Sequence, residues 1–465
     1  LARVQVPFRN AFIALGTLPL ILPPFVGAYS WILLLGRQGV LTTLLREGLG
    51  IRLPGIIGPF GVIITMTLGY YPFVLLPLLG ALAATDPSVE ESALTLGATP
   101  LRRLLTVTLP LALPTIGAGA IIVFMRAIGN FGVPALLGGE FYVLPTLIYF
   151  EVMGNFNLHG AGAIALVSTL FSIGSLLALR WVTGRGGFVT ITSQARAVQQ
   201  SAQPAARWLG FAFCAVVIGV SLLPHATVLL SSFADRWVAT PLPTALSLAN
   251  YRKAFTLSMD AIRNSLILAV ATTVLCVIAG SLMAHTAARK RLPGRWVIDI
   301  TIMLPFVLPG IMVGVAILTA FNGPPFNLAG TGTILLIAYF IRRLPYTFRS
   351  GFAALTQTDV SLEEASLTCG ATQATTFRRV TLPLIAPGVL AGATITFATL
   401  LGELTTTLLL YSARWKTISV KIFEFVSYDQ TGPASALGAL LVATVLVTVW
   451  IANRLSGKNL TSALG

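Results

Sequence analysis

Charged residues are scarce in this sequence. Asp, Glu, Lys and Arg make up 10% of its 465 residues, whereas hydrophobic types make up 55%. The mean hydropathy is +0.87. A soluble core cannot hide that much apolar surface, so the composition excludes a soluble globular protein and requires the bilayer as solvent. Because a backbone in lipid must satisfy its own hydrogen bonds, we expect an all-α polytopic membrane protein.

Cysteine and histidine are also rare, with three residues of each type. The cysteines show no spacing typical of a disulfide framework or a zinc motif. The histidines form no i,i+4 pair, so we expect no metal site. The chain also lacks a Gly-rich loop ending in Gly-Lys-Ser/Thr and any nucleophile–base constellation. We therefore predict that this chain is not an enzyme and binds no cofactor itself.

Acidic residues are half as numerous as basic ones, 15 against 30, which gives a formal net charge of +15. The basic residues stand beside apolar stretches, on one side of the predicted membrane. By the positive-inside rule that side is the cytoplasm. Orientation of the helices and contact with anionic lipid account for this charge, so we expect the bilayer and not nucleic acid as its partner.

Long apolar runs are abundant, and ten of them are long enough to span the bilayer. They are Asn10–Leu35, Gly55–Ala84, Leu109–Pro134, Gly160–Val182, Trp208–Ser232, Asn264–Ala287, Trp296–Phe321, Thr331–Leu355, Leu382–Leu410 and Ala434–Arg454.

The order of these runs predicts a tandem repeat. Equivalent spans carry basic flanks on the same side, so the repeat is parallel, with a pathway expected between its halves. We predict a first module at residues 1–182, a polar cytoplasmic linker at 183–206 and a second module at 207–465. The opening LARVQVPFRN resembles AARKRLPGRWV at 287–297, which follows two spans of the second module. Equal halves would therefore contain twelve spans, with two preceding this sequence.

One cytoplasmic segment occurs twice and aligns without a gap. The first cassette is Asp86–Pro110, DPSVEESALTLGATPLRRLLTVTLP, and the second cassette is Asp359–Pro383, DVSLEEASLTCGATQATTFRRVTLP. An N-capping aspartate begins a short helix in each copy. Paired acids near its start suit the positive end of the helix dipole. These residues are Glu90, Glu91, Glu363 and Glu364.

Each cassette turns sharply after that helix. Gly97 and Gly370 permit the turn, and Ala98 and Ala371 follow them. A threonine then caps a second helix, which makes a rigid helix–Gly–helix elbow at the cytoplasmic surface. Such an elbow suits docking into a groove of another protein. The alternative is an amphipathic helix that lies on the lipid, and the presence of two copies in register favours docking.

Both cassettes resemble the coupling loop of bacterial type I ABC importer permeases: Glu-Ala-Ala, three residues, Gly, nine residues, Ile, one residue, Leu-Pro. Here serine replaces one alanine and valine replaces isoleucine in each copy. The resemblance implies a multi-pass permease of the bacterial inner membrane that moves by alternating access. It also implies two copies of a cytoplasmic ATPase subunit, which hold ATP and Mg²⁺, and a periplasmic substrate-binding protein.

Two ionisable residues stand deep inside predicted spans, where charge is costly and usually faces a pathway or a partner. They are Arg126 and Glu403, and the repeat places Asn130 opposite Glu403 and Thr399 opposite Arg126. We predict that these four line the translocation path and that Arg126 and Glu403 pair in one conformational state. A structural ion pair between packed helices is an equally good interpretation.

Glu151 and Glu424 also align, in segments predicted to be external. They are candidates for the surface that receives the binding protein. The simpler interpretation is that they are solvated loop charges.

Short sequence segments such as GNFGVPALLGG and FIRRLPYTFRSG most resemble segments of ferric-iron importer permeases, so ferric iron is the expected substrate. Permeases for 2-aminoethylphosphonate, polyamines and thiamine are similar and remain alternatives. A hard trivalent cation should prefer oxygen ligands. Glu403 fits that preference, whereas Arg126 favours an anionic or zwitterionic substrate. An ion-coupled secondary transporter would also explain repeats and buried charge, but it gives no reason for two cassettes.

Overall fold

The protein is described here from a computed structural model that covers residues 1–20, 22–185, 203–237, 240, 242–290 and 295–456. The first half contains the helices Arg9–Thr17, Pro24–Leu35, Val40–Leu49, Pro59–Tyr70, Pro72–Ala84, Pro87–Thr95, Pro100–Arg103, Leu109–Ile128, Gly132–Leu137, Leu144–Met153 and Leu158–Arg185. The second contains Pro204–Phe233, Ala249–Arg289, Arg295–Val307, Gly310–Phe321, Gly332–Thr356, Ser361–Thr368, Gln373–Thr376, Leu382–Leu401, Thr407–Leu410, Ile418–Ser427 and Thr431–Ser456.

The membrane spans agree with the predicted ones. Seven helices of the described chain are long and apolar enough to cross a bilayer, and two bent helix pairs raise that number to nine. One of the bent pairs, Ile300–Val307 with Gly310–Phe321, turns by 114°. The helix Gly332–Thr356 matches the one remaining predicted span, Thr331–Leu355. It carries Arg342, Arg343 and Arg349, which explains why it does not count among the apolar helices. The fold is thus that of a polytopic all-α membrane protein.

The duplication extends to fine details of the helices. Each cassette ends in a five-residue π-helical segment, Leu104–Thr108 in the first half and Phe377–Thr381 in the second. Each π segment runs directly into a 20-residue span, Leu109–Ile128 or Leu382–Leu401. Because π turns are rare, their presence at equivalent positions supports two copies of one module.

Close helix crossings recur at the same place in both halves. A Cβ added at Gly119 would lie 3.1 Å from Val74 Cα, and one added at Gly392 would lie 2.9 Å from Thr347 Cα. Glycine lets two helix backbones approach at these points, as is common in membrane helices. Each crossing holds the span after a cassette against the span before it.

The largest buried apolar cluster contains residues of both halves. Phe25, Tyr29 and Phe131 of the first half pack with Ile311 and Leu437 of the second. The Tyr29 hydroxyl also makes a 2.7 Å hydrogen bond with the Ser435 hydroxyl. The two modules are therefore joined through a common core and not only through the chain between them.

Some regions differ from the sequence-based expectation. The stretch between the predicted spans Asn10–Leu35 and Gly55–Ala84 contains the amphipathic helix Val40–Leu49, which the apolar runs do not predict. A short antiparallel pair, Ala234–Arg236 with Ala245–Leu246, follows the helix Pro204–Phe233 and was not expected in an all-α chain. The predicted linker 183–206 lies mostly outside the described residues, so the domain boundaries stay a prediction.

The close helix crossing at Gly392 predicts that adding a single methyl group there lowers the stability of the protein. In Gly392→Ala the new Cβ meets backbone at 2.9 Å, so the variant should lose about 1–3 kcal/mol of stability and melt at a lower temperature in detergent. Gly219→Ala is the matched control, because nothing lies within 4 Å of its added Cβ. Equal melting temperatures for the two variants would contradict the crossing.

Candidate coupling and translocation sites

The first cassette is an elbow held by local hydrogen bonds. Asp86 Oδ1 accepts from the Ser88 amide at 2.9 Å and begins the helix Pro87–Thr95. Gly97 then adopts φ +79°, a conformation that side chains disfavour. Thr99 caps the next helix by accepting from the Arg102 amide at 3.3 Å. The elbow geometry expected from the sequence is present.

The second cassette repeats the same geometry. Asp359 Oδ1 accepts from the Ser361 amide at 2.9 Å, and this hydrogen bond holds the pKa of Asp359 below its ordinary value. Gly370 has φ +86°, and Thr372 accepts from the Thr375 amide at 3.3 Å. The same aspartate and threonine hydrogen bonds lie on either side of a left-handed glycine in both elbows. The predicted aspartate N-cap holds for Asp86 only, because the second helix begins at Ser361 with Val360 at its N-cap position.

The two acids of each pair have different environments. Glu90 is buried, accepts from Arg3 Nε at 2.9 Å and from the Thr108 hydroxyl at 3.2 Å. Glu363 is buried in the same way, with Arg289 Nε at 3.1 Å and the Thr381 hydroxyl at 3.1 Å. These two carboxylates tie each cassette to its own module.

The second acid of each pair lies on the surface. Glu91 and Glu364 are exposed to solvent. Glu90 and Glu363 thus hold the elbow in place, and the assignment of all four acids to coupling loops for an ATPase stays a prediction.

The tips of the elbows expose apolar surface unequally. Leu96 is 87% exposed and Leu101 is 65% exposed in the first cassette. Their repeat equivalents, Cys369 and Ala374, are also exposed but much smaller. Exposed leucines on a short rigid element are typical of a docking surface.

Glu403, predicted to stand deep inside a span, follows the end of the helix Leu382–Leu401 and lies at the centre of a charged cluster. Its Oε2 accepts from Arg342 Nη1 at 2.8 Å and also from Arg343 Nη2. Its Oε1 accepts from the Thr406 amide at 3.1 Å, just beyond the end of the span. Arg342 Nη1 also donates to the Thr406 hydroxyl at 2.7 Å. Glu403 is thereby fixed between two helices.

The first half has a neutral version of this arrangement. Asn130 Nδ2 donates to the Tyr70 hydroxyl at 2.5 Å, and Asn130 Oδ1 accepts from the Val133 amide at 2.9 Å. In the repeat Tyr70 corresponds to Arg343 and Asn130 to Glu403, so a hydroxyl–amide pair replaces an ion pair. In both halves this side chain accepts a hydrogen bond from the backbone amide three residues later, just after the span ends.

Arg126 lies between the halves. Its guanidinium stands 5.2 Å from the ring centre of Phe73 in its own half and 5.9 Å from that of Phe306 in the other. It is also coupled electrostatically to the Tyr346 hydroxyl. Its side chain is exposed, and no carboxylate of the described residues lies within ion-pair distance of it. The expected Arg126–Glu403 pair is not formed in this structure.

Two equivalent contacts join the halves next to Arg126. A Cβ added at Gly129 would lie 3.3 Å from Pro309 Cβ, and one added at Gly402 would lie 3.1 Å from Pro23 Cγ. Each half therefore places the proline at its helix bend against the glycine that ends a span of the other half. Both contacts lie beyond Arg126 along the span, on the side away from the cassettes.

The sequence analysis missed Arg342 and Arg343 as members of this site. Both lie inside the predicted span Thr331–Leu355, where two adjacent arginines are as costly as Arg126. That cost was the signal that could have identified them. Thr399, which was predicted, contributes its backbone carbonyl, 3.5 Å from Arg343 Nη2, while its hydroxyl bonds within its own helix.

Glu151 and Glu424 accept hydrogen bonds from residues that are near them in the sequence. Glu151 accepts from Asn155 at 3.1 Å and from Asn157 at 2.8 Å. Glu424 accepts from Lys416 at 3.1 Å and Lys421 at 3.2 Å, and although burial opposes it, these lysines hold the pKa of Glu424 below its ordinary value. A role in docking a binding protein stays a prediction.

The buried Glu363 and the exposed Glu364 give a matched pair of variants. Glu363→Gln leaves Arg289 without its carboxylate and should destabilise the protein by about 1–3 kcal/mol, seen as a lower melting temperature in detergent. Glu364→Gln, one residue away and exposed, should leave the melting temperature unchanged. An equal loss in both variants would mean that burial of Glu363 does not hold the cassette.

Three proteins illustrate what this chain resembles. A ferric transport system permease protein of Actinobacillus pleuropneumoniae is 28% identical over 457 residues, which are 96% of this chain and 66% of that protein. A putative ferric transport system permease protein of Haemophilus influenzae is 30% identical over 400 residues, 84% of this chain and 63% of that protein. This chain thus spans slightly less than two thirds of both relatives.

A shorter relative matches about half of the chain. A putative 2-aminoethylphosphonate transport system permease protein of Salmonella typhimurium is 28% identical over 241 residues, 51% of this chain and 91% of that protein. It corresponds in length to a single module of the repeat.

A family model agrees with the duplicated architecture. The model described as "Binding-protein-dependent transport system inner membrane component" matches residues 3–186 and again residues 276–459. Each match contains one cassette and the span that follows it. Because the two matches together cover more than half of the sequence, this chain belongs to the family of binding-protein-dependent transport system inner membrane components, with two modules fused in one polypeptide.

Proposed function

We propose that this chain is the permease subunit of an ATP-driven importer that carries ferric iron across the bacterial inner membrane. The observation that carries the proposal is the pair of cassettes, which have the same aspartate and threonine hydrogen bonds, the same left-handed glycine and the same buried glutamate in both halves. The iron assignment is supported by relatives named as ferric transport permeases that match 96% and 84% of the chain.

The partners follow from the number of cassettes. Two elbows imply two cytoplasmic ATPase subunits, one for each half, and these subunits hold the ATP and Mg²⁺ that this sequence has no loop to bind. A periplasmic binding protein delivers the cargo to the opposite face. The permease itself catalyses no reaction.

The structure suggests how movement passes through the chain. A push on the second cassette acts on the π segment Phe377–Thr381 and then on the rigid span Leu382–Leu401. That span ends beside Glu403 and the Pro23–Gly402 contact between the halves. Closure of the ATPases would thus separate the halves on the external side, and hydrolysis would return them to the closed contact. This is alternating access driven from the cytoplasm.

A second candidate cargo is an aminophosphonate. The favouring observation is the excess of arginine over carboxylate around Glu403, which suits an anion better than a bare cation. The relative that carries this name matches only about half of the chain.

The deciding experiment is uptake by proteoliposomes that contain the full-length protein, the ATPase and the binding protein encoded beside it. We expect ATP-dependent accumulation of radiolabelled ferric iron, and none when the ATPase carries a substitution that blocks hydrolysis. Accumulation of 2-aminoethylphosphonate instead of iron would mean that the aminophosphonate is the cargo. Uptake that does not depend on ATP would refute the proposal of an ATP-driven importer.

The unequal elbow tips predict unequal docking. Leu96→Ser removes a side chain that is 87% exposed and available to a partner, so it should weaken ATPase binding by about tenfold in affinity, whereas Cys369→Ser should change it little. Binding of the purified ATPase to the permease in nanodiscs measures both. Equal effects would show that the first elbow is not the stronger docking site.

A further inference from the structure

Two guanidinium groups bind one carboxylate just beyond the end of a span, and a third lies nearby between the halves. Arg342 and Arg343 both bind Glu403. Arg126 lies over Phe306, on the helix that bends at Pro309, and a Cβ added at the next residue, Gly310, would lie 2.8 Å from Arg342 Nη1. With Tyr346 and Tyr70 neutral, the cluster has two positive charges in excess. No other carboxylate is paired with these arginines in the described parts of the chain.

Several donors of the cluster have no acceptor. Arg342 Nε and Arg343 Nε are buried and make no hydrogen bond within the described protein. Arg126 is exposed, and its guanidinium lies over the faces of Phe73 and Phe306 and beside a single hydroxyl, that of Tyr346. A guanidinium has five N–H donors, so the cluster offers far more donors than its own acceptors can fill.

Unbalanced charge of this kind is costly in a medium of low polarity. A bare trivalent cation would meet repulsion from two excess positive charges at this level. A group with several anionic oxygens would instead receive the unused donors, because the planar fork of arginine matches carboxylate and phosphate geometry. The aromatic rings on either side of Arg126 hold its guanidinium in position.

We infer that the space beside Arg126, between the two halves, is an oxyanion site, with Arg126 and Arg342 as the principal ligands of a phosphate, phosphonate or carboxylate group. The first half contributes Arg126 and the second contributes Arg342 and Tyr346. This inference rests on the proposed function, because it states what form the cargo has in the membrane: ferric iron passes together with its oxyanion ligands, or the oxyanion is itself the cargo.

The site is tested first by binding, without any partner. The purified chain in phosphatidylcholine nanodiscs is titrated with radiolabelled inorganic phosphate at low chloride. We expect saturable binding that weakens about tenfold or more in Arg126→Gln and is partly restored in Arg126→Lys, which keeps the charge but not the fork. Arg263→Gln is the matched control, since Arg263 lies on another membrane helix with its side chain 65% exposed. Equal phosphate binding by wild type and Arg126→Gln would overturn the inference.

Uptake by the reconstituted complex then separates the two sources of the oxyanion. Ferric iron is supplied with radiolabelled phosphate or citrate, and 2-aminoethylphosphonate is supplied alone. Joint entry of iron and oxyanion that is lost in Arg126→Gln supports the first source, and entry of the phosphonate alone that is lost in Arg126→Gln supports the second. Iron uptake that needs no oxyanion and survives Arg126→Gln would refute the oxyanion site while keeping the importer. A wild type without ATP-dependent uptake would refute the importer, and the binding titration would still decide the site.

Discussion

A buried carboxylate–guanidinium pair fastens each cassette to its membrane module, and the proposed transmission of force from an ATPase depends on it. Glu90 with Arg3 and Glu363 with Arg289 occupy equivalent places, each supported by a threonine of the π segment. An elbow attached only by its chain ends would swing when pushed. Because each carboxylate binds an arginine of a distant segment and a threonine of the π segment that leads into the next span, a push on the elbow would move these segments together.

The same repeat produces unequal chemistry at membrane depth. In one half the end of the span is closed by Asn130 and Tyr70, which carry no charge, and in the other by Glu403 with two arginines. The side chain of Asn130 or Glu403 accepts the same backbone hydrogen bond in each half, so the fold accommodates either the neutral or the charged arrangement. A duplicated scaffold can therefore keep its mechanics symmetric while one half alone acquires a charged site, and the exposed Arg126 of the opposite half completes it.

Features determined by local sequence were predictable, and those determined by contacts between distant segments were not. Asp86, Gly97 and Thr99 fix the elbow through neighbours within three residues, so the motif was enough. Nine of the ten apolar runs fall on helices or bent helix pairs of the described chain that can cross a bilayer, and the remaining run falls on the helix Gly332–Thr356. By contrast, the burial of Glu90 depends on Arg3, 87 positions away, and no local pattern distinguishes Glu90 from Glu91. The Pro23–Gly402 contact and the partners of Glu403 likewise depend on how the helices cross.

The central claim is that the cassettes carry ATPase motion into the membrane modules. The most direct test is the distance between spin labels at positions 106 and 379, equivalent exposed sites at the start of the spans, with Thr106→Cys and Arg379→Cys in a background without the native cysteines. In the complex with its ATPase and binding protein, we predict that the two labels approach each other when ATP binds and separate again after hydrolysis. An unchanged distance in a complex that still imports its cargo would contradict the account.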